Sequence, residues 1–263
     1  MERDFTLSIS RIFTSSAGLR LALFTLSALA LTVVAAAQTD TAPYARKNSF
    51  GVLAAYSNDS SHILLGDAER RKLLNIGVSY SRRLLLTRFG TWAYDGELLP
   101  VTLESDPMGA FINQQTSPAN NTFTGNLNYA LETCAPSSQS YSYTYQGVTY
   151  AGTQTVFCKG RQWTMGEAMS PVGLQWNFLP THKIQPLIEA HGGYMYSTHP
   201  IPIEEAGSFN FTFDLGAGVE YFQSHSRSIR LEYRYHHISN HDTALGNPGI
   251  DSGLFQVSYL FGR

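Results

Sequence analysis

The stretch Phe209-Asn210-Phe211-Thr212-Phe213-Asp214-Leu215-Gly216-Ala217-Gly218-Val219-Glu220-Tyr221 alternates without a break between apolar residues and polar or small ones. Side chains two apart on a β-strand share a face. One face therefore carries Phe209, Phe211, Phe213, Leu215, Ala217, Val219 and Tyr221, and the other carries Asn210, Thr212, Asp214, Gly216, Gly218 and Glu220. A strand that is apolar on one side and places two carboxylates on the other suits a wall with lipid outside and a polar lumen inside.

Working outward, the same dyad pattern predicts seven more strands: about 48–57, 73–83, 88–103, 168–178, 183–196, 227–240 and 251–261. In the fourth of the eight, Val172, Leu174, Trp176 and Phe178 oppose Gly173, Gln175 and Asn177. In the last, Gly253, Phe255, Val257, Tyr259 and Phe261 share a face. The links after the second, fourth and sixth strands are short, whereas 58–72, 104–167, 197–208 and 241–250 are longer. That asymmetry is the one outer-membrane barrels have between periplasmic turns and outside loops. It predicts an all-β, eight-stranded antiparallel transmembrane β-barrel, with the longer connections outside the cell.

Composition agrees with this reading. Charged residues make up 14% of the chain, against about 25% in soluble domains, while Tyr and Phe number fifteen each. Beyond residue 37 no apolar run reaches the roughly 20 residues of a spanning helix, which leaves a closed barrel as the way to satisfy backbone groups in lipid. The first 37 residues read as an export signal. Arg3, Arg11 and Arg20 precede the apolar run Leu21–Val34, and Ala35-Ala36-Ala37 offers a small-residue cleavage site. The mature domain would then be 38–263, destined for the outer membrane of a Gram-negative type cell. A net charge of −2 with no basic block gives no reason to expect nucleic acid as a partner.

The connection at about 104–167 is too long to lack structure of its own. Tyr141, Tyr143 and Tyr145 alternate up to Gln146-Gly147, and Val148 and Tyr150 follow, as in a hairpin. Cys134 and Cys158 lie almost symmetrically about that turn. In an exported chain they are expected to form a disulfide, the alternative being two separate thiols.

Chemistry concentrates between Tyr235 and Asp251. His237 and Ser239 share a face with Tyr235, Tyr233, Leu231 and Ile229, while His236, Arg234, Glu232 and Arg230 take the other. By parity Asp251, on the next antiparallel strand, joins the face of His237 provided no bulge intervenes near Gly253. Ser239 would be the nucleophile, His237 the base and then the acid, and Asp251 the group that orients the imidazole. The competing reading is a polar and aromatic girdle at the headgroup level. Asn240, Asn247 and Gly249, with Pro248 between the last two, could supply donors to an oxyanion or simply form a turn. Adjacent His236 and His237 should face opposite sides, and with His241 and Asp242 they make no recognisable metal spacing, so no metal or cofactor is expected. Arg230, Glu232 and Arg234 fit a lumen ion-pair network. Arg70, Arg71, Lys159 and Arg161 lie in the longer connections, where they could meet lipid phosphates or remain solvated charges.

The residues His237-Ile238-Ser239-Asn240, then Asn247-Pro248-Gly249-Ile250-Asp251 and a last aromatic strand, resemble the lipid A 3-O-deacylase family of outer-membrane barrels. Asp251 stands where that family usually has Glu. The resemblance implies an eight-stranded barrel whose outward-facing serine and histidine, with an acidic partner, hydrolyse the ester-linked acyl chain at the 3 position of lipid A. It also associates Asn247 and Gly249 with the oxyanion site. The alternatives that the residues leave open are a phospholipase using the same serine chemistry, and a non-enzymatic barrel with an adhesion or structural role.

Overall fold

A computed structural model describes residues 43–116, 122–130 and 136–263. The expected export signal and Cys134 lie outside the described residues. Ten strands are present: β1 (Asn48–Ser57), β2 (Lys72–Leu86), β3 (Gly90–Thr116), β4 (Thr122–Ala130), β5 (Ser137–Tyr145), β6 (Val148–Phe178), β7 (Ile184–Ser197), β8 (Phe209–Ser224), β9 (Arg227–Ser239) and β10 (Ile250–Gly262). Eight of them close a barrel in the order β1, β2, β3, β6, β7, β8, β9, β10, with β10 returning to β1, and every neighbour is antiparallel. Closure leaves no unpaired strand edge, the condition for backbone inside a bilayer.

The segment at about 104–167, expected as a connection holding a hairpin, is mostly strand. Past the barrel rim β3 and β6 keep pairing with each other, from Pro107↔Arg161 to Thr116↔Ala151. β4 adds to the free side of β3 and β5 to that of β6, giving a four-stranded sheet that stands beyond the rim. β5 is exposed along nearly its whole length. Its alternating Tyr141 and Tyr143 stack on each other, and Tyr143 stacks on Tyr150 of β6, instead of facing lipid or a lumen. The expected turn is present: Gln146 (φ 50°) and Gly147 (φ 77°) are both left-handed, the signature of a two-residue type I′ hairpin. Among the described residues no free cysteine is present, Cys158 being disulfide-bonded.

The alternation holds around the wall. Phe255, Val257, Tyr259 and Phe261 of β10, Leu231 and Tyr233 of β9, and Phe209, Phe211, Phe213 and Leu215 of β8 are exposed. Arg230, Glu232, Arg234, His236, Asp214 and Glu220 are buried inside. Arg234 forks onto Glu97 at 2.8 and 3.0 Å and also contacts Glu189. Arg230 lies 3.1 Å from Asp95, and His236 meets Asp214. Buried charges survive only when paired and hydrogen-bonded in this way.

At the short-turn end Tyr44 is buried and donates its amide to Pro180 O, and Arg46 pairs with Glu220. At the long-connection end an apolar plug gathers Leu73, Leu99, Met195, Ile201, Ala68, Ile238 and Ile250. Ile238 and Ile250 are cross-strand partners facing inward, and they fix the height at which their outward neighbours stand.

Candidate active site

β9 and β10 pair without a register shift from Ile250↔Ile238 to Phe261↔Arg227. Gly253 introduces no bulge, because it lies opposite Tyr235 inside that unbroken ladder. Asp251 is consequently the direct partner of His237. Opposed side chains in an antiparallel pair start about 4.5–5.5 Å apart at Cβ, close enough for the short aspartate. His237 Nδ1 lies 2.7 Å from Asp251 Oδ1. A carboxylate only accepts, so Nδ1 carries the proton and Nε2 is left with its lone pair, the tautomer a general base needs.

Further donors converge on the same carboxylate, and the sequence revealed only one of them. Tyr235 Oη donates to Oδ1 at 2.8 Å. The backbone amides of Leu64 and Leu65, in the β1–β2 connection, donate to Oδ2 at 2.6 and 2.8 Å. Tyr235 was legible by parity, being two residues before His237. The amides were not, since backbone donors leave no trace in side-chain pattern and the contact joins opposite ends of the chain.

The outward apolar residues of β10 run from Phe255 to Phe261, so Asp251, the second residue of the strand, stands above that band at the long-connection rim. Burial by itself would raise the pKa of this carboxyl. The hydrogen bonds from Leu64, His237, Leu65 and Gly66 outweigh burial and hold it well below the usual aspartate range.

Ser239 is half-buried on the same outward face, two residues beyond His237. Its Oγ donates to Asn247 Oδ1 at 3.0 Å and accepts from the amide of His241 at 3.1 Å. Among the described residues no hydrogen bond joins Ser239 to His237. The structure thus joins His237 to Asp251 and leaves the Ser239 hydroxyl turned toward Asn247.

The expected oxyanion donors are placed unequally. Asn240 falls one residue past Ser239 and so turns inward. It is buried, and Nδ2 donates to the carbonyls of Ala206 and Gly246 while its amide donates to Asn247 Oδ1. Asn247 presents its carbonyl oxygen to Ser239 and donates Nδ2 to Asp242. Gly249 has φ 63°, a left-handed conformation suited to glycine. A Cβ there would lie 3.1 Å from His237 Cε1, so this backbone passes against the imidazole. Its carbonyl accepts from Ala68, and among the described residues its amide makes no hydrogen bond.

His236 and His237 do face opposite sides, His236 meeting Asp214 in the lumen. A separate trio, Asp95, Glu189 and His191, brings ligand-type atoms within 4.8 Å of one another inside the barrel. Arg230 against Asp95 and Arg234 against Glu189 occupy the place a cation would take there. Two of the outer basic residues, Arg71 and Arg161, are also engaged. Arg71 is buried and bonds Asp106 and Pro202 O, and Arg161 bonds Ser105 and the carbonyl of Arg70.

The family model described as lipid A 3-O-deacylase (PagL) matches residues 122–260, more than half of the 263-residue chain, and takes in His237, Ser239 and Asp251. Among curated proteins none matches the chain by sequence. Among solved structures, the outer membrane enzyme PagL aligns at 14% identity over 81% of this chain and 99% of its own, with a TM-score of 0.45. Neisserial surface protein A aligns at 12% identity over 82% of this chain and 97% of its own, with a TM-score of 0.38. With more than half its length matched, this chain belongs to the lipid A 3-O-deacylase (PagL) family.

Proposed function

We propose that this barrel is an outer-membrane serine esterase that removes the ester-linked acyl chain at the 3-O position of lipid A in lipopolysaccharide. The observation that carries the reading is the His237–Asp251 pair, 2.7 Å apart, on the wall's outward face beside Ser239. An imidazole fixed by a buried carboxylate has little purpose as a girdle, and a polar group set toward lipid is costly without a role. The rim position suits a substrate whose acyl chains lie in the outer leaflet while its sugar ester stays at headgroup depth.

In this reading Ser239 Oγ turns from Asn247 to His237 Nε2 and gives up its proton as it attacks the ester carbonyl carbon. Asp251 stabilises the resulting imidazolium. The oxyanion meets the amide of Gly249, which makes no hydrogen bond among the described residues. His237 then protonates the leaving sugar oxygen, and the acyl-serine is hydrolysed by water that His237 activates in turn. Serine chemistry of this kind asks for no cofactor.

The test uses the purified folded barrel with lipid A and, separately, with glycerophospholipid in mixed micelles, followed by mass analysis of the released fatty acid. Release of one 3-hydroxyacyl chain from lipid A, lost in Ser239→Ala, supports the proposal. Release from phospholipid alone would make it a phospholipase. No release from either would favour a structural or adhesion role built on the sheet beyond the rim.

A further inference from the structure

The connection between β1 and β2 is as much a part of the site as the two strands that carry the triad residues. Its ends are anchored. Ser60 Oγ donates to Ala68 O and accepts from the amide of Arg71 at 2.9 Å, and the Arg71 guanidinium, buried with Asp106, ties the segment to β3. Its middle lies against the β9–β10 turn, where Asp67 N donates to Pro248 O and Ala68 N to Gly249 O. Between these anchors the amides of Leu64 and Leu65 close on Asp251 Oδ2. Gly66 permits the approach, since a Cβ there would come within 2.6 Å of Asp251 N and 2.8 Å of Ile250 C.

Between the anchors, the side chains of Leu64 and Leu65 do not explain the path of the chain. Leu64 and Leu65 remain 71% and 67% exposed, so apolar packing does not hold them in place. Their backbone amides do, and both end on one carboxylate. That carboxylate divides its work: Oδ2 takes the two amides, and Oδ1 takes Tyr235 and His237.

We infer that Leu64, Leu65 and Gly66 form a positioning clamp that fixes Asp251 through its second oxygen, so that the first is presented to His237 in one orientation. The inference rests on the esterase reading. The clamp touches neither substrate nor reacting atoms and acts only through Asp251. The two residues that follow the clamp, Asp67 and Ala68, fasten separately to Pro248 and Gly249.

Leu64→Pro removes one clamp donor and leaves the exposed surface apolar. Gly66→Ala, which pushes the segment off β10, serves as the second variant should the first fail to fold. Folding is read as the shift in gel mobility between heated and unheated samples. The measurements are kcat and KM for lipid A deacylation and the rate at which a fluorophosphonate labels Ser239, each made in the wild-type and Asp251→Asn backgrounds. A folded clamp variant should lose at least tenfold in kcat and in labelling rate, with KM changed by less than about twofold, and should lose nothing further when Asp251 is already Asn. Unchanged kcat, a change in KM alone, or the same fold-loss in the Asp251→Asn background would overturn the clamp. Failure of the esterase reading is distinct: wild-type protein that neither releases acyl chain nor takes label on Ser239 removes the reading, and the clamp with it.

Discussion

Asp251 is one methylene shorter than the glutamate usual at its position in the family that this chain resembles, and the register explains why it suffices. Directly opposed to His237, it needs no extra reach. Replacement by Asn keeps the shape and reverses the hydrogen-bond preference for the imidazole, so Asp251→Asn should lower kcat by about 10⁴-fold with the barrel still folded. The sign of the pH effect follows from the depressed pKa of the carboxyl. The stabilisation it contributes is complete above the unfolded value near 3.9 and is lost as pH falls toward the lower folded value. The difference in urea midpoint between wild type and Asp251→Asn should therefore be constant from about pH 5 to 7 and shrink below about pH 4. At this scale parity was enough to place His237, Ser239, Asp251 and Tyr235 on one face. It could not say which way the Ser239 hydroxyl turns, because a rotamer is decided by Asn247 across a connection whose path the sequence does not encode by period.

Among the elements, strands that separate lipid from lumen were readable and strands outside the membrane were not. β1, β8, β9 and β10 appear within a few residues of their expected bounds, since each residue must choose a side. β3 and β6 run far beyond their expected rim, and β4 was not anticipated, because the same backbone pairing continues where both faces meet solvent. The β5–β6 hairpin was legible from a different signal, its glycine turn. Gly147, at φ 77°, is a position where a β-branched residue is strained by about 1–2 kcal/mol. Gly147→Val should speed proteolytic cleavage within 145–148 several-fold while leaving barrel mobility and deacylation unchanged, as peptide mapping over a digestion time course would show.

For the whole molecule, the lumen takes the place of an apolar core. Its strength lies in ion pairs between buried charges, and its weakness is the cost of leaving one of those charges without its partner. Removing Arg234 would leave Glu97 and Glu189 buried without their main counter-charge. Arg234→Met is expected to cost about 3–5 kcal/mol, seen as a lower urea midpoint for unfolding in micelles. The alternating charges Arg230, Glu232 and Arg234 announced this network in the sequence, but their partners Asp95, Glu97 and Glu189 come from distant strands and could be named only once the barrel closed. The same closure sets His237, Ser239 and Asp251 on the outer surface at the end with the long connections, and the proposal of a lipid-modifying enzyme depends on that placement. It is tested most directly by the mass of lipid A extracted from cells that express the wild-type chain or Ser239→Ala at equal levels of folded barrel. The account predicts a species lighter by one 3-hydroxyacyl chain with wild type and intact lipid A with the variant. Lipid A of unchanged mass in both, or deacylated in both, would contradict it.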